Sequence, residues 1–302
     1  MHVSAISDLL DREREALLAA ISAKGLYPAF ADAEEMQRYL LGPVFEMGST
    51  YLTLWDGETL CGAIGIVVRE IPSKGEAFLT LLHVFVPDAD AALAPLLSEA
   101  YAVLRRFGGA DGRTVVKIGI GPSESRLRAP LERAGCRIAF RVLDMVRTVD
   151  DALPRGPVLR FQPLTAENLT DFLTVHNAAF LQSPNGGHLN LEELEGLRQE
   201  ARSEQFLQVG YADAAPAAIL ELDVRGEVGQ IMALGVAPAF QRRGMGRAAL
   251  AHALQVLGEG GAAQVHLQVV ELNTPAVELY RASGFQVDEV VATWYSGVTH
   301  CL

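Results

Sequence analysis

The sequence predicts an α/β protein of two tandem domains, each a central sheet flanked by helices. Three observations carry that expectation. At 302 residues the chain exceeds the roughly 100 to 200 residues of a single common domain. Runs with the two-residue period of strands interleave with runs of helical period, the combination that builds sheet-and-helix layers. The spacing of those runs also repeats once along the chain. The two copies meet in VDDALPRGP (149–157), whose Pro, Gly and Asp content suits a linker.

In the first half, strands are expected at about 49–55, 60–70 and 77–86, a helix at 89–107, a strand at 113–120, a short helix at 123–134 and a strand at 137–147. The second half opens with the strand VLRFQPL (158–164) and a helix to Phe180 for which Thr165 is a suitable N-cap. The loop SPNGGHLN (183–190) leads to a helix at 191–202, followed by a meander of strands at 206–211, 217–224 and 230–236. From Arg243 to Leu257, apolar Leu250, Ala253, Leu254 and Leu257 have the spacing of an amphipathic helix, which GEGG stops. A strand at 263–270, a helix at 273–283 and strands at 285–291 and 293–300 around a break complete the chain. Val86-Pro87 corresponds to Ala237-Pro238 and Gly135-Cys136 to Gly284-Phe285, at separations of 151 and 149 residues. That agreement in spacing marks an internal duplication.

Composition excludes several classes. Half the residues are apolar and 21% are charged, as in globular chains. No apolar run reaches the roughly 18 to 20 residues needed to cross a bilayer, and the opening MHVSAISDLLDREREALLAA is acidic and amphipathic where a signal peptide is basic and then apolar. The chain therefore reads as cytoplasmic, with no membrane partner. Cys61, Cys136 and Cys301 lie far apart, so reduced packing roles are expected and no metal. A net charge of −12 argues against a nucleic-acid surface and favours cationic or neutral substrates. Lys24, Lys74 and Lys117 are the only lysines, so an anion bound by the second half must be held by arginines and backbone N–H groups.

Such a site is written into IMALGVAPAFQRRGMGRAAL (231–250). A strand runs into a tight turn with Gly244 and Gly246, and a helix follows. Backbone N–H groups there, with the positive end of the helix, receive phosphate groups. Glycines let the backbone approach, and Arg242, Arg243 and Arg247 add charged donors. The turn lacks the G-K-[ST] of a P-loop and the glycine spacing of a dinucleotide fingerprint. Further on stands N-x-x-A-x-x-L-Y-x-x-x-G-F. Its Asn273 and Tyr280 share a helix face, with small Ala276 between them leaving room for a thin ligand. Read singly, the first motif is also a basic turn capping a helix, and the second an Asn N-cap with a core tyrosine.

In order and spacing the two motifs resemble the GNAT superfamily of acyl-CoA-dependent N-acyltransferases over most of 158–302. Over the first half only the architecture does so. The tandem arrangement is similar in organisation to mycothiol synthase, although no residue fixes that substrate. The resemblance implies a mixed, mostly antiparallel sheet in each domain and acetyl-CoA as cosubstrate, with no metal. Its phosphates would lie on Gln241, Arg242, Arg243, Gly244, Met245, Gly246 and Arg247. Asn273 would contact the pantetheine arm, and the Tyr280 hydroxyl would lie near the thioester sulfur. The strand would bulge at Leu234-Gly235-Val236 and aim a backbone N–H near Val236 at the thioester oxygen. In the first half Gly244, Gly246, Asn273 and Tyr280 correspond to Leu93, Pro95, Glu124 and Leu131, and the turn PDADAALAP places aspartates where phosphates would sit. That half is expected to be degenerate and non-catalytic.

The implied reaction is transfer of an acetyl or short acyl group to a primary amine of a small molecule or peptide. Tyr280, with a reference pKa of about 10, suits protonation of the departing thiolate. Many family members carry Glu six residues before Val236, where this chain has Gln230, which accepts no proton. Glu221 and Asp223, alternating on one strand face, are candidate bases acting through water and read equally well as a solvated strand face; Glu271 and His188 are further candidates. The SPNGG loop and Trp294-Tyr295 are expected to wall the acceptor pocket. Two other readings stand beside the enzyme: a CoA-binding sensor or scaffold without turnover, and an aminoacyl-transferring relative using charged RNA, which the acidic balance disfavours. Monomer and homodimer both remain open.

Overall fold

The computed structural model describes residues 1–24, 32–108, 114–149, 157–184 and 186–297. Most of the linker, Asn185 of the SPNGG loop and Cys301 lie outside the described residues. The chain forms two compact units, one of Met1–Arg141 with Val291–Leu302 and the other of Val142–Val290. Both boundaries therefore fall within long strands, at 141–142 and 290–291.

Unit 1 contains β1 (His2–Ala5), α1 (Asp11–Ala23), α2 (Ala33–Leu40), β2 (Tyr51–Asp56), β3 (Thr59–Val67), α3 (Ile71–Lys74), β4 (Glu76–Val84), α4 (Ala89–Arg106), β5 (Val115–Ile120), α5 (Arg128–Arg133) and the start of β6 (Arg137–Thr148). β1 to β4 pair antiparallel in order, and β5 joins β4 in parallel. Apolar residues on alternate positions of one strand feed two cores. Leu52 and Leu54 face α4, whereas Tyr51 and Trp55 face α1 and α2. The two N-terminal helices were not read from the sequence beyond their amphipathic character. PDADAALAP is a helix rather than a turn, because Asp88 caps α4 by accepting from Ala91 N–H and an alanine-rich run follows.

Unit 2 contains the end of β6, then β7 (Arg160–Pro163), α6 (Leu169–Phe180), α7 (Leu191–Glu200), β8 (Gln205–Ala212), β9 (Ala215–Arg225), β10 (Val228–Val236), α8 (Met245–Glu259), β11 (Gln264–Val270), α9 (Thr274–Ala282) and the start of β12 (Gln286–Gly297). β7 to β10 pair antiparallel, β11 joins β10 in parallel, and β6 pairs antiparallel with β11. In unit 1, the C-terminal part of β12 pairs with β5 in the place that β6 takes beside β11. Each unit is thus a mixed, mostly antiparallel sheet flanked by helices, with the one parallel pair at the same point of the order.

Three local expectations are corrected. Thr165 does not cap α6; Asn168 precedes the helix, accepts from Thr165 N–H and donates to Pro163 O, so the chain turns once more before the helix begins. β12 is one strand, since no Gly or Pro interrupts 286–296. Trp294 and Tyr295 belong to unit 1, where Trp294 packs on Phe78, Phe140 and the bare Cα of Gly119, and Tyr295 is fully buried in the core beneath α4. Both are packing residues of unit 1. Cys61 and Cys136 are buried. Among the described residues, no helix is long and apolar enough to cross a membrane.

Candidate active site

The site starts where two strands part. β10 and β11 pair from Val228–Gln264 to Ile231–Leu267 and no further, while β10 continues beside β9 to Val236. Opposite β9 the register shifts between Ile231 and Ala233, so Met232 is the extra residue of a β-bulge. Ala237 N–H donates to Ala217 O, which makes that pair hydrogen-bonded. By the alternation of antiparallel ladders, Leu234 and Val236 turn their N–H and C=O groups away from β9, into the space β11 has left.

The bulge therefore precedes the expected Leu234-Gly235-Val236 by two residues, and Gly235 is glycine for another reason. A Cβ there would meet Ile219 at 3.1 Å and Ala179 of α6 at 3.2 Å. The bare Cα admits the helix against the strand. The Val236 carbonyl accepts from the Gln241 side-chain amide at 3.0 Å, which ties the strand end to the following turn.

That turn is shaped for an anion. Arg242 and Gly244 have φ of +62° and +82°, with Arg243 between them outside the positive-φ region, and α8 starts at Met245. Alternating left- and right-handed residues aim successive N–H groups into one concavity. The first bond of α8 from its N-cap runs from Ala248 N–H to Gly244 O, leaving the N–H groups of Met245, Gly246 and Arg247 without helical acceptors. Arg242, Arg243 and Arg247 are exposed around them. A Cβ on Gly246 would lie 3.3 Å from Leu279 and 4.0 Å from Val236, so glycine allows α8 to close on both α9 and the strand end.

On α9, Asn273 is the N-cap, its side chain accepting from Ala276 N–H at 3.4 Å, and it is exposed. Tyr280 lies two turns on, 8% exposed, with its ring 5.9 Å from that of Phe285. Burial pushes its hydroxyl up to about 12, so it stays a proton donor near neutral pH. The structure thus brings together the end of β10, the first turn of α8 and the face of α9.

Glu221 stands opposite Ala233, beside the bulge, on the sheet face that carries α6 and α7. Burial raises its pKa and the Asp223 charge adds to the effect. Asp223 itself is held by Arg202 at 2.9 Å and Arg225 at 2.8 Å, which removes it from the candidate bases. Gln230 is opposite Asp223 on the same face. Asn177 of α6 accepts from Leu189 N–H and donates to Leu189 O, pinning the loop after α6. In that loop His188 is exposed, and Glu271 is half-buried at the end of β11. Neither is brought to the strand opening by an element that carries Glu221 or Tyr280.

The matching place in unit 1 is filled by the chain itself. Phe85 N–H donates to Cys61 O, so by the same alternation Val84 points away from β3. Its N–H donates to Glu124 Oε1 at 3.4 Å, and its carbonyl accepts from Lys24 at 2.6 Å and from Arg126. Arg126 also donates to Val86 O at 2.8 Å, Lys24 bonds Glu124, and His83 Nδ1 is 3.7 Å from Glu124. These groups, distant in sequence, were not legible as a cluster.

The cluster makes unit 1 acid-sensitive. Burial lowers the pKa of His83 below 6.5; burial alone would raise Glu124, but hydrogen bonds from His83 and Lys24 outweigh it and hold the carboxylate below 4.5. Both folded-state values are depressed, so the stability they contribute is complete above about pH 6.5 and is lost as pH falls, first through His83 and then through Glu124. Trp55 and Trp294, the only tryptophans, are in unit 1. Urea melts followed by tryptophan fluorescence should show falling midpoints from pH 7 to pH 4, with a flatter dependence in Glu124→Gln.

A glycine turn at a helix start, a parted pair of strands and a buried tyrosine on the next helix stand together as in an acyl-CoA acyltransferase, and the chain belongs to the acetyltransferase (GNAT) family, which residues 173–285 match. It is 31% identical over 301 residues to the mycothiol acetyltransferase of Nocardia farcinica, with 91% of this chain and 90% of that one covered. A 33% match over 169 residues to the mycothiol acetyltransferase of Clavibacter sepedonicus spans about half of each chain, 53% and 55%. The tandem GNAT protein from the clavulanic acid biosynthesis pathway shares the fold across 99% of this chain and 98% of its own, with a TM-score of 0.66 at 13% identity. The family uses acetyl-CoA as cosubstrate. Among the described residues no His, Cys, Asp or Glu group is arranged to hold a metal ion.

Proposed function

We propose that unit 2 transfers an acetyl or short acyl group from acetyl-CoA to a primary amine of a small molecule or peptide, by direct attack on the thioester. The observation that carries this reading is the open edge of β10, where Leu234 and Val236 present N–H groups between the α8 turn and Tyr280. Phosphates take the N–H groups of Gly244 to Arg247 and the charges of Arg242, Arg243 and Arg247. Gln241 holds the strand end, and Asn273 and Ala276 leave a narrow path for the pantetheine arm. The thioester oxygen, as it gains charge, meets a fixed N–H near Val236. Tyr280 protonates the departing thiolate.

Glu221 is the carboxylate of the acceptor face. It draws in a cationic amine, and burial raises its pKa towards the operating pH, so it is the carboxylate to test as a base acting through water. The relatives named for mycothiol acetylation make small-molecule amines the first class to test. Unit 1 is structural and non-catalytic.

Thiol release from acetyl-CoA across a panel of amines, the mycothiol acetyltransferase acceptor among them, tests the reading. Tyr280→Phe is expected to lower kcat roughly 100-fold while acetyl-CoA binding holds. A CoA-binding sensor predicts no thiol release and no effect of that substitution. Glu221→Gln should lower kcat by roughly 10-fold or more, and unchanged kcat would remove the carboxylate from the mechanism.

A further inference from the structure

On the sheet face of unit 2 that carries Glu221, a row of polar side chains crosses the strands. Asp223 of β9 is opposite Gln230 of β10, and Gln230 is opposite His266 of β11. His266 Nδ1 is 2.7 Å from Asp144 Oδ2 of β6. The alternate residues Leu222, Ile231, Val265, Leu267 and Met145 are buried in the core on the other face, beneath α8. A polar row over an apolar one is the pattern of a sheet face kept for a ligand or for solvent. A bonded His–Asp pair is more specific than that.

Asp144 is 8% exposed, and the His266 side chain keeps 26% of its surface. A carboxylate on Nδ1 fixes the ring with Nδ1 donating, so Nε2 carries the basic lone pair. The register neighbour of His266 on β10 is Gln230, whose amide accepts no proton near neutral pH. Pairing of β10 with β11 ends one residue further along, at Ile231–Leu267. The imidazole is therefore at the root of the opening along which the N–H groups of Leu234 and Val236 are aligned.

We propose that His266, oriented by Asp144, accepts the proton of the incoming ammonium in place of a carboxylate at position 230. The inference rests on the amine-acetylation reading. One ammonium proton passes to Nε2, and the imidazolium formed is balanced by Asp144. The free amine forms the C–N bond, the C–S bond breaks, and the second amine proton ends, through Tyr280 and water, on the leaving thiolate. The imidazolium then returns its proton to solvent. The charges around the ring favour this role: Asp144 bears on it from β6, neutral Gln230 from β10, and Glu221 and the arginine-paired Asp223 from β9, while Gln264 and Gln268 flank it on β11.

The test uses the full chain, acetyl-CoA and the amine that releases thiol fastest in the panel, with kcat measured from pH 5 to 9. Wild type should show an acid limb in this profile. His266→Gln should lower kcat at pH 7 roughly 100-fold, remove that limb and leave the acetyl-CoA KM and thermal shift in place. Asp144→Asn should lower kcat roughly 10-fold, because the ring loses the acceptor that fixes its tautomer and orientation. An acid limb unchanged in His266→Gln, or lost in Glu221→Gln instead, would overturn the assignment. Stability lost in both dyad variants with the limb in place would show a structural pair. Wild type that releases no thiol with any amine would overturn the acetylation reading, and this inference with it.

Discussion

Replacing Gly244 with aspartate is expected to abolish the stabilisation of the protein by acetyl-CoA. Gly244 has φ of +82°, and a Cβ there would lie 3.0 Å from Pro157. A non-glycine residue in that conformation costs about 1–2 kcal/mol. The larger effect is electrostatic. A carboxylate about 4 Å from a phosphate charge costs about 4 kcal/mol at the effective dielectric of a protein surface. Together these come to about 5–6 kcal/mol, roughly a ten-thousandfold loss of affinity at about 1.4 kcal/mol per decade. The change should appear as a lost thermal shift and a lost calorimetric signal with acetyl-CoA. Gly244→Ala, which adds strain without charge, should lose only about tenfold. Undiminished affinity in the aspartate variant would place the phosphates elsewhere and remove the basis for the site.

How much of this site could be read beforehand follows from what each residue does. Gly244 and Gly246 were legible as a special turn because the backbone there takes a positive φ at Gly244 and closes on Leu279 and Val236 at Gly246. The α9 motif was legible because Asn273 and Tyr280 share a helical period with Ala276. Gly235 misled, because a glycine in a strand signals a bulge or a close approach equally well, and here it is the approach of Ala179. Trp294 and Tyr295 misled because they follow the unit 2 motifs in sequence, yet the C-terminal part of β12 is a strand of unit 1. The duplication was visible in spacing alone. Which residues of β6 and β12 belong to which unit was not, since both strands alternate without interruption. The His266–Asp144 pair and the Lys24–Glu124 cluster join residues 122 and 100 positions apart. No local pattern announces such pairs; they become visible only when strand register is known.

One acetyl-CoA per chain is the second result expected with a large effect, and the reason lies in unit 1. Val84 occupies the place in β4 that Val236 occupies in β10: each ends its strand, and each turns its N–H and C=O away from the antiparallel neighbour. In unit 2 the Val236 carbonyl accepts from the Gln241 side chain. In unit 1 the N–H donates to Glu124 and the carbonyl accepts from Lys24 and Arg126, so a pantetheine amide would have to displace a buried carboxylate and two cations. The helix start is closed too. Asp88 caps α4 and Asp90 lies in its first turn, which places negative charge where a pyrophosphate would need N–H groups. Leu93 and Pro95, which replace the turn glycines, lie inside that helix, and Leu93 is 4% exposed. Calorimetric titration should therefore give one equivalent, and Gly244→Asp should reduce it to none. Lys24→Met should leave the equivalent unchanged while destabilising unit 1 by about 2–4 kcal/mol, because the buried Glu124 loses one of its cations. Two equivalents in the wild-type chain, or one remaining in Gly244→Asp, would show that the ion cluster yields to ligand and that unit 1 binds CoA as well.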